Sequence, residues 1–220
     1  MKKGIFITGC IVIVVAIALI SVFLLSTSAP EVEAVDLTGI WKVYRHGDDL
    51  IDNEYMVFEG KLVTDYRDGV EEPFLSAAYM LSDGTTLRME DIGKEFVVRQ
   101  VSENNVILVE PNTMEWKMFR VTVNGVQPAD FNRETIIGKW TVVMHAGQAK
   151  TDEIMEFTDT AMADYRSEEL YIEGEYVWNE DGTFEVPVIG HTFAPYMADE
   201  DTIILHDLTD GYLWELKRAK

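Results

Sequence analysis

From residue 39 onward the chain repeats itself at an interval of 98–99 residues, so whatever fold one copy adopts the other must adopt too. Gly39-Ile40-Trp41-Lys42-Val43-Tyr44-Arg45-His46 returns as Gly138-Lys139-Trp140-Thr141-Val142-Val143-Met144-His145. Glu54, Met56, Phe58 and Asp65-Tyr66-Arg67 return as Glu153, Met155, Phe157 and Asp164-Tyr165-Arg166; ten of the 29 positions from 39 to 67 are identical. Farther along, Asp83-Gly84-Thr85 matches Asp181-Gly182-Thr183, and Trp116 with Arg120 matches Trp214 with Arg218, at an interval of 98. One deletion in an intervening loop explains the drop. The repeats are placed at 37–123 and 136–220, with a spacer at 31–36 and a linker at 124–135 that carries Asn124-Gly125 and Pro128.

Within each copy the hydrophobic period is two. Tyr55-Met56-Val57-Phe58, Phe96-Val97-Val98 and Val106-Ile107-Leu108-Val109 are short β-branched or aromatic runs between turn residues. Ser82-Asp83-Gly84 and Glu180-Asp181-Gly182 are hairpin signals, because glycine supplies the positive φ that tight turns need. The pattern predicts eight strands in the first copy, near 39–46, 54–59, 61–67, 74–82, 85–90, 94–101, 105–110 and 114–122. No helix longer than a turn is required after residue 30. The expected fold is all-β, two tandem antiparallel up-and-down barrels.

Ahead of the repeats, Ile5 to Leu25 carries no charge and follows Lys2 and Lys3. As a helix this run is about 31 Å long, enough for the ~30 Å hydrocarbon core. It is longer than the apolar region of an ordinary cleaved signal, and Pro30 follows Ala29 where cleavage would be wanted. Residues 1–30 therefore read as an uncleaved signal anchor with a single transmembrane helix over 5–25, the alternative being a cleaved signal peptide. Lysines before the span, and Glu31, Glu33 and Asp36 after it, place the N-terminus in the cytoplasm and the repeats outside. Ile7-Thr8-Gly9-Cys10 loosely resembles a lipoprotein box, but the long apolar run follows the cysteine instead of preceding it. Cys10 reads as a small apolar residue in lipid.

Charge and cysteine content remove whole classes of function. The chain has 39 acidic against 18 basic residues, a net charge of −21, and all the acids lie after residue 30. Such a surface repels nucleic acid. With Cys10 the only cysteine, no disulfide scaffold is possible.

Gly39-x-Trp41 with Arg120 on the last strand, and Gly138-x-Trp140 with Arg218, resemble the lipocalin signature, and most closely that of short bacterial lipocalin-like domains. The resemblance implies a tryptophan at the closed end of each barrel with the terminal arginine packed across its ring, and an interior able to take an apolar ligand. Each copy is about half the length of a full lipocalin and lacks the C-terminal helix and cysteine pair of that family. Large residues such as Met56, Phe58, Met155 and Phe157 favour interiors filled by side chains.

Residues with chemistry are read against this frame. His46 and His145 stand five positions after their tryptophans, an odd spacing that on a regular strand turns them outward. His191 and His206 would share a face if residue 206 paired near 193, but a zinc site needs a third ligand, so no metal is expected. Asp65-Tyr66-Arg67 reads as a surface ion pair flanking a core-facing tyrosine. Neither acidic turn, 179–182 or 199–201, has the spacing of a calcium loop. No nucleophile motif or phosphate loop occurs, so neither catalysis nor a cofactor is expected. The expected protein is a membrane-anchored extracytoplasmic surface module that contacts a protein partner or plays a structural part. The alternative is capture of a small apolar or amphipathic ligand inside one or both barrels.

Overall fold

The computed structural model describes residues 34–67, 72–111 and 114–220. The expected anchor and Cys10 lie outside these residues; among those described, no helix is long and apolar enough to cross a membrane.

The first copy forms β1 (Gly39–His46), β2 (Asp49–Glu59), β3 (Leu62–Arg67), β4 (Leu75–Ala78), β5 (Met80–Ser82), β6 (Thr86–Met89), β7 (Lys94–Ser102), β8 (Asn105–Val109) and β9 (Glu115–Val121). The second forms β10 (Gly138–His145), β11 (Gln148–Ala149), β12 (Glu153–Phe157), β13 (Ala161–Arg166), β14 (Glu169–Glu175), β15 (Val177–Trp178), β16 (Phe184–Val186), β17 (His191–Asp199), β18 (Thr202–Asp207) and β19 (Leu213–Arg218). All pairings are antiparallel, and the first and last long strands of each copy, β1 with β9 and β10 with β19, are neighbours. The result is two nearly closed barrel-like sheets, each built from its own strands.

Each ring leaves one seam, between β4 and β5 and again between β14 and β15. The single strand expected over 74–82 is broken at Tyr79, where the chain turns a corner instead of running straight. Tyr79 donates its N–H to the Lys61 carbonyl at 2.8 Å and sets its ring edge-on against Phe58, 5.2 Å between centroids. Tyr176 does the same in the second copy, toward Thr160 and Phe157.

The floor of each barrel is the glycine–tryptophan–arginine group. Trp41 and Trp140 are fully buried, and each donates its indole N–H to a carbonyl four residues back, Leu37 at 2.7 Å and Ile136 at 2.6 Å. Arg120 lies over the Trp41 ring at 4.5 Å and Arg218 over Trp140 at 4.2 Å. The backbone explains the glycine: Gly39 and Gly138 have φ of +121° and +124°, which L side chains rarely adopt, and a Cβ would stand 3.0 Å from Arg120 Nη1 and 3.4 Å from Arg218 Nη1.

Met56, Phe58, Phe96 and Leu108 fill the first interior; Met155, Phe157, Phe184 and Leu205 occupy the second. Val35 and Leu37 plug the first barrel from before its first strand, and Phe131 and Ile136 plug the second. A third apolar layer joins the two. Tyr44, Tyr55, Phe119 and Val121 on the outside of the first barrel pack against Ala194, Tyr196, Ala198, Ile204 and Leu213 of the second. Polar ties cross the same boundary: buried Glu215 accepts from Ser102 Oγ at 2.7 Å and Asn104 Nδ2 at 3.1 Å.

Three expectations about side-chain direction are corrected. His46 and His145 point inward, because β1 carries a bulge between Val43 and Arg45, and β10 one between Val142 and Met144. One extra residue returns the next side chain to the inner face. Asp65 and Arg67 also face inward, with Tyr66 outside. Asp65 pairs with core-facing Met56, and Arg67 with Glu54. Finally, residue 207, not 206, lies near 193: Phe193 pairs with Asp207 and Ala194 with His206. That one-residue difference in register sends His206 to the opposite face. His206 is buried between the barrels, 5.4 Å from the Tyr44 ring, while His191 stays on the inner face.

Candidate functional site: the mouth of the second barrel

At the end opposite the tryptophan floor, each barrel carries the same polar group. In the second, His145 on β10 faces Trp214 on β19, and the rings stack with centroids 3.7 Å apart. Arg166 on β13 donates Nε to Asp164 Oδ2 at 3.1 Å, with Nη2 of the same residue 3.0 Å from that oxygen. Nη2 also lies 3.8 Å from Glu153 Oε1 across the β12–β13 pair. The guanidinium is stacked on Tyr171, 3.7 Å from its ring centre. In the first barrel His46 stacks on Trp116 at 4.4 Å, and Arg67 holds Asp65 at 2.9 Å and stacks on Phe74 at 4.0 Å.

These groups are placed by alternation counted from the core. Glu153, Met155 and Phe157 share the inner face of β12, and Met162 and Asp164 are both buried on β13. The signal was present in the sequence, because Glu54-x-Met56-x-Phe58 and Glu153-x-Met155-x-Phe157 put glutamate in register with two core residues.

Burial sets the electrostatics. It pushes the Asp164 and Glu153 carboxyls up from their ordinary values, with Arg166 pulling both the other way. Asp65 in the first barrel is pushed up to about 6, by burial first and then by neighbouring Glu54. His145 is pushed down to about 4 by burial, with Lys150 and Arg166 adding to the effect, so an uncharged imidazole lies on Trp214 near neutral pH. Asp164 Oδ1 and Trp214 Nε1 are buried without a hydrogen-bond partner. Such atoms are costly to leave unmet.

Among the described residues, the second barrel adds the pair His191–Asp207 at its mouth, where the first has the contact of His46 Nε2 with Glu54 Oε1 at 3.3 Å. His191 Nδ1 meets Asp207 Oδ2 at 2.6 Å, and Asp207 Oδ1 accepts the backbone N–H groups of Thr209 at 2.9 Å and Asp210 at 3.3 Å. His191 Nε2 lies 3.9 Å from Asp210 Oδ2. The corresponding place in the first barrel is taken by an ion pair between Lys94 and Glu110.

His191, Asp207 and Asp210 present ligand atoms within 4.8 Å of one another, the geometry of a candidate metal cluster. The hydrogen bonds argue against one. Asp207 is occupied on both oxygens and acts to orient the imidazole, leaving His191 Nε2 and Asp210 as the free pair. Two ligands fall short of the four or more that zinc or calcium takes.

The polar group lines a cavity of about 290 Å³ at the mouth, open to one side. Met155, Met162, Ile172, Ile189, Phe193 and Trp214 make its apolar wall; Asp164, Arg166, His145, His191, Asp207 and Asp210 make its polar one. Its volume stands at the lower limit of small-molecule sites, ~300–1,000 Å³. Compared with models of known protein families, with characterised proteins and with solved structures, the chain gives no match.

Proposed function

We propose that this chain is a membrane-anchored, lipocalin-like surface protein whose second barrel captures a small amphipathic ligand, the first serving as a packed support. The observation that carries the reading is the cavity of about 290 Å³ at the mouth of the second barrel, apolar on one wall and polar on the other. A wall of methionine, isoleucine and aromatic side chains rewards an apolar body, and convergent polar groups fix its orientation. Ile5 to Leu25, uncharged and flanked by lysines on one side and acids on the other, supports the anchor and the outward orientation.

The test is titration of the full chain with 1-aminoanthracene, a small amphipathic fluorophore. Saturable binding is expected, and Ile172→Trp, which fills the cavity, should abolish it. Absence of saturable binding would defeat ligand capture. The protein-docking reading would then take precedence, supported by exposed Phe74 at the rim of the first barrel. For the anchor, membranes should retain the protein with its N-terminus intact, and protease added outside protoplasts should digest the repeats. A mature protein beginning near residue 30, free in the medium, would sink it.

A further inference from the structure

The mouth of the second barrel has more negative charge than it neutralises. Glu153, Asp164, Asp207 and Asp210 are set against Arg166 and Lys150, the latter 3.9 Å from Glu153. His191 is tied to Asp207, and His145 is uncharged near neutral pH. Three of the four carboxylates are almost fully buried, where an uncompensated charge is most costly.

Hydrogen-bond capacity is left over in the same place, and acceptors outnumber donors in it: Glu153 Oε1 and Asp164 Oδ1 stand against Trp214 Nε1. Asp164 lines the cavity, and its Oδ1 is buried with no hydrogen-bond partner. In the tautomer that directs Nδ1–H at Asp207, the His191 Nε2 lone pair is free. Its 3.9 Å separation from Asp210 Oδ2 is too long for a hydrogen bond, but one donor nitrogen placed between the two can reach both. The rest of the wall is aromatic, aliphatic and thioether surface, with Arg166 over Tyr171 and His145 over Trp214. Phe193 and Tyr212 add two further rings to the lining, and aromatic rings are surroundings in which organic cations are held.

We propose that the ligand of the second barrel is a small organic ammonium ion. Its N–H groups bond to Asp210 and His191 Nε2, buried Asp164 adds negative charge to the wall, and its apolar body lies against Trp214, Phe193 and Met155. An ammonium carries three donors and no acceptor, matching a site with spare acceptors. A bare metal ion fits worse, since Asp207 is already committed and His191 Nε2 with Asp210 leaves it two ligands where zinc or calcium takes four or more. The first barrel, with Lys94 and Glu110 paired where the second has His191 and Asp207, is not such a site. The assignment rests on the capture reading above and narrows it to one charge type.

The experiment is calorimetric titration of the detergent-solubilised full chain with three compounds of one shape: 2-phenylethylammonium, 2-phenylethanol and phenylacetate. The ammonium is expected to bind at least tenfold more tightly than the alcohol, and the carboxylate more weakly than either. Asp210→Asn, at an exposed position that does not endanger folding, should remove about tenfold of ammonium affinity and leave the alcohol unchanged. Asp164→Asn should do the same. If the alcohol or the carboxylate binds as tightly as the ammonium, the cation assignment fails while capture of an amphipathic ligand stands. If none of the three binds, the assignment fails too, and the 1-aminoanthracene titration separately decides the broader reading. Tight binding of zinc chloride that displaces the ammonium would overturn it in favour of a metal site.

Discussion

The guanidinium carbon of Arg218 lies 4.2 Å from the centre of the Trp140 ring, and that indole donates its N–H to the Ile136 carbonyl at 2.6 Å. Arginine from the last strand thus seals a tryptophan on the first, and the chain before the first strand closes the remaining side. The arrangement is the same for Arg120, Trp41 and Leu37.

This floor sets an order of sensitivities. Trp140→Ala should cost ~3–5 kcal/mol, as truncation of a large buried aromatic does. Arg218→Ala should cost about 1–2 kcal/mol, from the lost stacking and hydrogen bonds. Gly138→Ala should cost about 1 kcal/mol or more, because φ of +124° is strained for alanine even where its methyl finds room. Urea denaturation of the three variants measures the order; a neutral Gly138→Ala would show that the backbone there is not as described.

The apolar layer between the barrels couples their unfolding. Phe119 faces away from its own interior, yet it is fully buried against Tyr196, 5.0 Å between ring centroids. Phe119→Ala should therefore destabilise by ~3–5 kcal/mol, like a core residue. Calorimetry of the unaltered protein should show one cooperative transition for both barrels. Two well-separated transitions would mean that the layer contributes little.

His206 makes stability depend on pH. Burial, with Lys42 nearby, pushes its imidazole down from 6.5 to about 4. The unfolded chain therefore binds the proton more tightly, and stability is lost as pH falls from 6.5 toward 4, by up to about 3 kcal/mol. His206→Gln should lack that part of the acid loss. The comparison has to be with the variant, because Asp65 acts in the opposite sense: its penalty, full above about 6, is relieved as pH falls toward its ordinary value. Parallel pH–stability curves for the two proteins would refute the assignment.

Arg166 is the principal counter-charge of two buried carboxylates. Arg166→Gln should cost about 3 kcal/mol at pH 7, because Asp164 and Glu153 are left without it. Both carboxyls are already pushed up, so the deficit should shrink on acidification as they take up protons. A deficit that stays constant with pH would place the cost elsewhere.

Much of the architecture was legible because a duplicated pattern is read twice. The repeated Gly-x-Trp and the terminal arginine marked the first and last strands of each copy, and closing an antiparallel meander makes those strands neighbours. The mouth cluster was half legible. Its members, His145, Glu153, Asp164, Arg166 and Trp214, all recur in the first copy, which singled them out. Their direction was misjudged for His145, Asp164 and Arg166.

The sequence by itself determined the two barrels, their strand order and the tryptophan floors, since period-two alternation, turn residues and the duplication are local properties of the chain. Tertiary structure alone decided which way the chemistry faces. A bulge after Val142 turns His145 inward, and pairing of Asp207 with Phe193 separates His191 from His206, because one residue of slip exchanges the faces of a strand. It also decided how the barrels meet. The first uses β1, β2 and β9 and the second β17, β18 and β19, so the contact joins unlike faces and leaves no trace in the repeat. The cavity belongs to the same class: it depends on which side chains stop short of filling the second mouth, a property of packing in space that no spacing along the chain encodes.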